Sequence, residues 1–85
     1  MKTVEIYTTP SCPYCIAAKR LLDGKGVAYT EIDVSRDMAK RQEMRTRAQG
    51  RYTVPQIFIG GAYVGDCDHI HLLDHRKQLD GLLAD

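Results

Sequence analysis

Cys12-Pro13-Tyr14-Cys15 places two thiols three positions apart, where an apolar alternating run gives way to a helical pattern. Thiols at this spacing can form and break a disulfide between themselves, the chemistry of a redox centre. Pro13 suits the first turn of a helix, where its missing N–H has no intrahelical partner to lose. Cys12 then falls just before the helix and Cys15 within its first turn. Unpaired N–H groups and the positive helix end favour a thiolate at Cys12. Lys19 and Arg20 lie too far along the helix to be its main activators. A CxxC pair can also be half of a metal site. The other candidate ligands are Cys67, His69, His71 and His75, without a second CxxC.

The elements that must carry these thiols follow from periodicity. Lys2–Thr8 alternates, with Val4 and Ile6 on one side and Thr3, Glu5 and Tyr7 on the other, as a first strand does. Ile16, Ala17, Leu21 and Leu22 give the next segment an apolar helical face, with Lys19, Arg20 and Asp23 outward and Gly24 and Gly26 ending it. Ala28–Val34 is a second strand. Ser35 or Asp37 caps a second helix through Met38–Ala48, which Gly50 terminates. After Val54-Pro55, the runs Gln56–Ile59 and Ala62–Val64 flank Gly60-Gly61 and predict a hairpin. Asp68 is positioned to cap one last helix carrying Ile70, Leu73, Leu79, Leu82 and Leu83.

The order βαβαββα predicts an α/β domain, one four-stranded mixed sheet with three helices, spanning 1–85 as a single unit. With 85 residues, of which 44% are apolar, there is room for one core. A CxxC disulfide closes too short a loop to hold such a fold together, so the fold must stand with both thiols reduced. Three cysteines do not make a secreted disulfide framework, and no run approaches membrane-spanning length. These features predict a cytoplasmic protein. Twelve basic and 11 acidic side chains give a net charge of +1, which offers no electrostatic case for nucleic acid or an acidic membrane. Lys40, Arg41, Arg45 and Arg47, with Glu43 among them, are expected to form a solvated helix face.

Tyr7-Thr8-Thr9-Pro10-Ser11-Cys12-Pro13-Tyr14-Cys15, Thr53-Val54-Pro55-Gln56-Ile57-Phe58-Ile59 and Gly65-Asp66-Cys67-Asp68 together resemble the small bacterial dithiol glutaredoxins over essentially the whole chain. The resemblance implies a thioredoxin-like fold and glutathione-dependent thiol–disulfide exchange, with Cys12 and Cys15 catalytic and no nucleotide or metal. It implies a cis bond before Pro55, which lets the Val54 backbone pair with an extended thiol substrate. It places glutathione along Tyr14, Thr53, Val54 and Pro55, with its γ-glutamyl end at Cys67 and Asp68. Arg51 or a basic residue of the second helix is then a candidate for the glycine carboxylate.

Two departures stand out. Many family members have Lys near the position of Thr9, and commonly Gly-Gly before and Asp-Asp after the position of Cys67; this chain has Asp66 and His69 there. Cys67 is expected to be a packing residue at the helix start, outside the redox cycle. The expected partners are glutathione, protein disulfides and glutathionylated proteins, with ribonucleotide reductase a family-level candidate, and the expected state is a monomer. The alternatives are metal or iron–sulfur binding through the CxxC, and a redoxin reduced by a flavoprotein thioredoxin reductase.

Overall fold

Alternation along the first strand divides the interior into two cores. In the computed structural model, which describes all residues 1–85, the elements are β1 (Val4–Thr8), α1 (Pro13–Gly24), β2 (Tyr29–Asp33), α2 (Met38–Arg47), β3 (Gln56–Ile59), β4 (Ala62–Gly65), α3 (Cys67–His75) and α4 (Leu79–Leu83). Val4 and Ile6 of β1 join Ala18 and Leu22 of α1, Ile57 and Ile59 of β3, Ile70 of α3, and Leu79 and Leu83 of α4. Tyr7 points to the opposite face and packs with Val34, Met44, Ala48 and Phe58. Helices therefore cover both sides of the sheet, α2 on one face and α1, α3 and α4 on the other.

The strand order is β2-β1-β3-β4. β2 runs parallel to β1, whereas β1–β3 and β3–β4 are antiparallel, giving the expected mixed sheet. β3 is central and all four of its residues are buried, while β2 at the edge exposes Thr30, Glu31 and Asp33. The β3–β4 turn is Gly60-Gly61 with φ of 60° and 83°. Two successive positive φ angles are what a two-residue turn needs to match strand twist, which is why glycines stand there.

The helix starts are capped by side chains. Cys12 is the N-cap of α1, Asp37 accepts the Lys40 N–H at the start of α2, and Asp66 accepts the His69 N–H at the start of α3. Asp66, rather than Asp68, is thus the cap; Asp68 lies in the first turn, where its charge suits the helix dipole. The apolar face of α1 also differs from expectation. Cys15, Ala18 and Leu22 are its buried residues, Ala17 and Leu21 flank them, and Ile16 is exposed. The helix is turned so that Cys15 faces the sheet.

The last helical segment is two helices, because the chain turns at Arg76-Lys77-Gln78. Lys77 adopts φ 59°, and the Gln78 N–H reaches back to Leu73 O at 2.8 Å, closing α3 in the manner of a left-handed C-terminal cap. The geometry demands it. At about 100° per residue, an unbroken helix would place Leu79 on the side opposite Ile70. The turn returns both to one core, where each is fully buried.

One polar network ties α2 to the sheet. Arg47 donates two hydrogen bonds to Glu5, at 3.1 and 2.9 Å, and one to Tyr7 Oη at 2.8 Å, while the Tyr7 hydroxyl donates to Glu43 at 2.7 Å. The guanidinium also lies 4.0 Å from the centre of the Phe58 ring. Buried Tyr7 thereby gains partners for its one polar atom.

Candidate active site

The end of β1 and the start of α1 set the two thiols. Cys12 has extended backbone and is half-buried, with Pro13 in the first helical turn, so its sulfur sits where the helix presents free N–H groups. Cys12 Sγ accepts the Cys15 N–H at 3.2 Å, an interaction that favours negative charge on this sulfur. It lies 3.7 Å from Val54 O, to which the protonated thiol can donate. Cys15 is fully buried. Burial, then the side-chain hydrogen bond to Cys12, pushes the Cys15 thiol up to about 12, so it holds its proton at neutral pH. One sulfur is thus accessible and electrostatically assisted, and its neighbour is enclosed and protonated.

Opposite Cys12 stands the loop Thr53-Val54-Pro55, with a cis Val54–Pro55 bond as the family resemblance implies. Gln56 holds this loop. Its Nε2 donates to Thr53 O at 2.9 Å and Thr53 Oγ1 at 3.2 Å, and its Oε1 accepts the Tyr63 hydroxyl at 2.6 Å. Gln56 and Tyr63 were not among the expected site residues. The available signal was an amide side chain opening an otherwise apolar central strand, since a buried amide must have partners.

A cavity of about 250 Å³ beside Cys12 is lined by Tyr14, Thr53, Val54, Pro55, Asp66, Cys67 and Asp68. All six residues expected to form a glutathione site therefore share one cavity, and Asp66 is the added member. Tyr14 stands at the rim with its ring largely exposed. The first-turn N–H groups of Cys67 and Asp68 have no intrahelical acceptor, a natural seat for a carboxylate. Asp66 uses one carboxylate oxygen on the His69 N–H at 3.0 Å. Arg51 lies outside this cavity, in an adjoining one of about 320 Å³ that shares Asp66 and Asp68. On α2, Arg41 donates to Tyr52 O at 3.2 Å, which places a cation beside Thr53.

Cys67 is buried, and its thiol is pushed up by that burial first and by the Asp68 and Asp66 charges next. His71 Nδ1 contacts Cys67 O at 2.8 Å, so this histidine is engaged with its own helix backbone. No three His, Cys, Asp or Glu side chains converge as a metal-ion cage within the chain. No helix is long and apolar enough to cross a membrane.

The glutaredoxin family pattern matches residues 4–64, which takes in the thiol pair, the cis-proline loop and all four strands except the last residue of β4. The chain belongs to the glutaredoxin family. It is 52% identical over 83 residues to glutaredoxin 3 of Escherichia coli strain K12, covering 98% of this chain and 99% of that protein. The solution structure of glutaredoxin from Brucella melitensis is similar, with a TM-score of 0.85 and 51% identity over 98% of this chain and 89% of that one. A buckwheat glutaredoxin–glutathione complex has a TM-score of 0.86 at 28% identity, over 94% of this chain and 74% of that one. The fold is thioredoxin-like, as expected. As a glutaredoxin, the protein is a thiol oxidoreductase.

Proposed function

We propose that this glutaredoxin is a glutathione-dependent oxidoreductase that reduces protein disulfides and glutathione mixed disulfides. The reading rests on one observation above all. The N–H-assisted sulfur of Cys12 lies 3.7 Å from the carbonyl of Val54, which lines one cavity together with Tyr14, Thr53, Pro55, Cys67 and Asp68. Likeness to a family member solved as a glutathione complex supports it.

In the monothiol route, Cys12 thiolate attacks the glutathione sulfur of a protein mixed disulfide. The protein cysteine leaves as a thiolate and takes a proton, and glutathione stays bonded to Cys12. A second glutathione thiolate attacks that bond, releasing glutathione disulfide and regenerating Cys12. In the dithiol route, Cys12 attacks a protein disulfide and Cys15 displaces the reduced product, giving Cys12–Cys15, which two glutathione molecules then reduce. Val54 offers its backbone to the cysteinyl part of the ligand, and the α3 N–H groups receive the γ-glutamyl carboxylate, with Asp68 facing its amine.

The same reading takes residues 1–85 as a single domain acting as a cytoplasmic monomer. Its partners are glutathione, protein disulfides and glutathionylated proteins, a class to which the disulfide of ribonucleotide reductase belongs. The test follows glutathione-dependent reduction of a glutathionylated peptide by wild type, Cys12→Ser and Cys15→Ser. Turnover lost in Cys12→Ser and retained in Cys15→Ser is the expected pattern. No wild-type turnover with glutathione, but turnover with a flavoprotein thioredoxin reductase, would overturn the glutathione reading.

A further inference from the structure

The thiols leave one buried-edge network unused. Thr8, at the end of β1 and almost fully buried, donates its hydroxyl to Glu31 Oε2 at 2.7 Å. The same carboxylate oxygen accepts Lys19 Nζ at 2.9 Å. Lys19 is four residues beyond Cys15 on α1, so the two side chains occupy neighbouring positions on one helix face. Two strands and a helix thus hold one ammonium in place on the Cys15 side of the redox pair. The ion pair is partly exposed, with side-chain exposures of 27% and 40%, so stability is a weak reason for it.

We propose that Lys19, pinned by Thr8 and Glu31, is a positioning residue for the resolving step, stabilising the thiolate that must form on Cys15. This rests on the reading of Cys15 as the resolving thiol. In that step Cys15 Sγ–H gives its proton to water or buffer base, and the thiolate attacks Cys12 Sγ of the Cys12–glutathione mixed disulfide. The Cys12–glutathione bond breaks as Cys12–Cys15 forms. Cys15 sulfur is oxidised, and glutathione leaves reduced, as a thiolate that takes up a proton.

The need is plain from the surroundings of Cys15. Cys12 and the Thr9 backbone N–H face it from its own turn and the preceding loop, and Lys19 from the next turn. Glu31 and Tyr29 of β2 act on Lys19, Asp33 acts on Glu31, Asp23 on Tyr29, and Cys67 of α3 is a neutral, buried thiol. Burial and Cys12 hold the Cys15 proton on. Once Cys12 is in a mixed disulfide it carries no charge, and Lys19 is the cation that remains.

The test starts from enzyme carrying glutathione on Cys12 and follows unimolecular glutathione release from about pH 6 to about pH 9. Removing a partly screened charge should raise the Cys15 thiolate energy modestly. Because a more basic thiolate is also a better nucleophile, about half of that loss is returned. Lys19→Gln and Lys19→Met, which keeps the aliphatic stem, should therefore release glutathione about two- to threefold more slowly at every pH below the titration. Lys19→Arg should match wild type. The gap should close in about 1 M salt, where exposed charges are screened. Coincident wild-type and Lys19→Gln lines, a gap unchanged by salt, or the same loss in Lys19→Arg would overturn the role. If wild type itself released no glutathione, the assignment of Cys15 as resolving thiol would fall instead.

Discussion

Asp66 performs two tasks that a single substitution can separate. Its carboxylate caps α3 through the His69 N–H at 3.0 Å, and the same side chain lines the cavity proposed for glutathione. Asn caps a helix about as well as Asp, while Ala forfeits about 1 kcal/mol. Asp66→Asn therefore removes the charge and keeps the cap. A γ-glutamyl carboxylate seated on the Cys67 and Asp68 N–H groups would share this helix end with the Asp66 carboxylate. Taking a separation of about 6 Å, two like charges cost about 0.7 kcal/mol in water and about 1.4 kcal/mol at half that screening. Asp66→Asn should thus bind glutathione about three- to tenfold more tightly, with a melting temperature close to that of wild type. Asp66→Ala should gain similar affinity and melt about 4–8 °C lower. Inhibition constants for glutathione at low and high salt, paired with thermal melts, measure both effects. Equal or weaker affinity in Asp66→Asn, or a gain that salt does not erode, would refute the reasoning.

Other outcomes follow from the same geometry. With limiting iodoacetamide at neutral pH, alkylation should fall on Cys12, sparing Cys15, whose thiol is held up to about 12, and buried Cys67; peptide mass mapping checks this. The raised Cys15 value also has a stability consequence. Below the thiol value of the unfolded chain, about 8.5, both states hold the proton and nothing is lost. As pH rises from there toward 12, unfolding gains a proton-release advantage, so the reduced protein should lose stability, as alkaline denaturant titrations can read. Glu5, Glu31 and Glu43 are held below the ordinary carboxylate range, chiefly by hydrogen bonds from Arg47, Lys19 and Tyr7 respectively. Their contribution is present above about pH 4.3 and lost as pH falls through the lowered values, so Glu5→Gln should flatten the acid limb of the stability profile. Gly65 has φ 140°, and a Cβ there would lie 2.8 Å from His69 Cβ. Gly65→Ala should cost about 2 kcal/mol, or about 10 °C in melting temperature.

Local signals carried the strands, the hairpin and the thiol turn into the sequence reading. Gly60-Gly61 specified its turn because only glycine takes two successive positive φ angles at no steric cost. The misplaced features were those decided by tertiary packing. Ile16 looked like core because it is apolar at helical spacing, yet Cys15 takes that buried position and turns Ile16 outward. The break at Lys77 had no glycine to announce it. It follows from the need to bring Leu79 back beside Ile70, which no local pattern encodes. Asp68 was the expected cap of the last helix, and it is the backbone geometry that gives this role to Asp66 instead. Within the site, all six expected lining residues share one cavity, whereas Gln56 and Tyr63 emerged only when their bonds to Thr53 and to each other were visible. The Glu5–Arg47–Tyr7 network links positions about 40 residues apart and left no signature in either segment.

The central claim is that Cys12 is the sulfur that exchanges with glutathione. Mass mapping of Cys15→Ser after incubation with glutathione disulfide tests it most directly. The account predicts one glutathione per chain, attached to the peptide containing Cys12, with Cys67 unmodified. Attachment at Cys67, or no adduct while the folded protein persists, would contradict it.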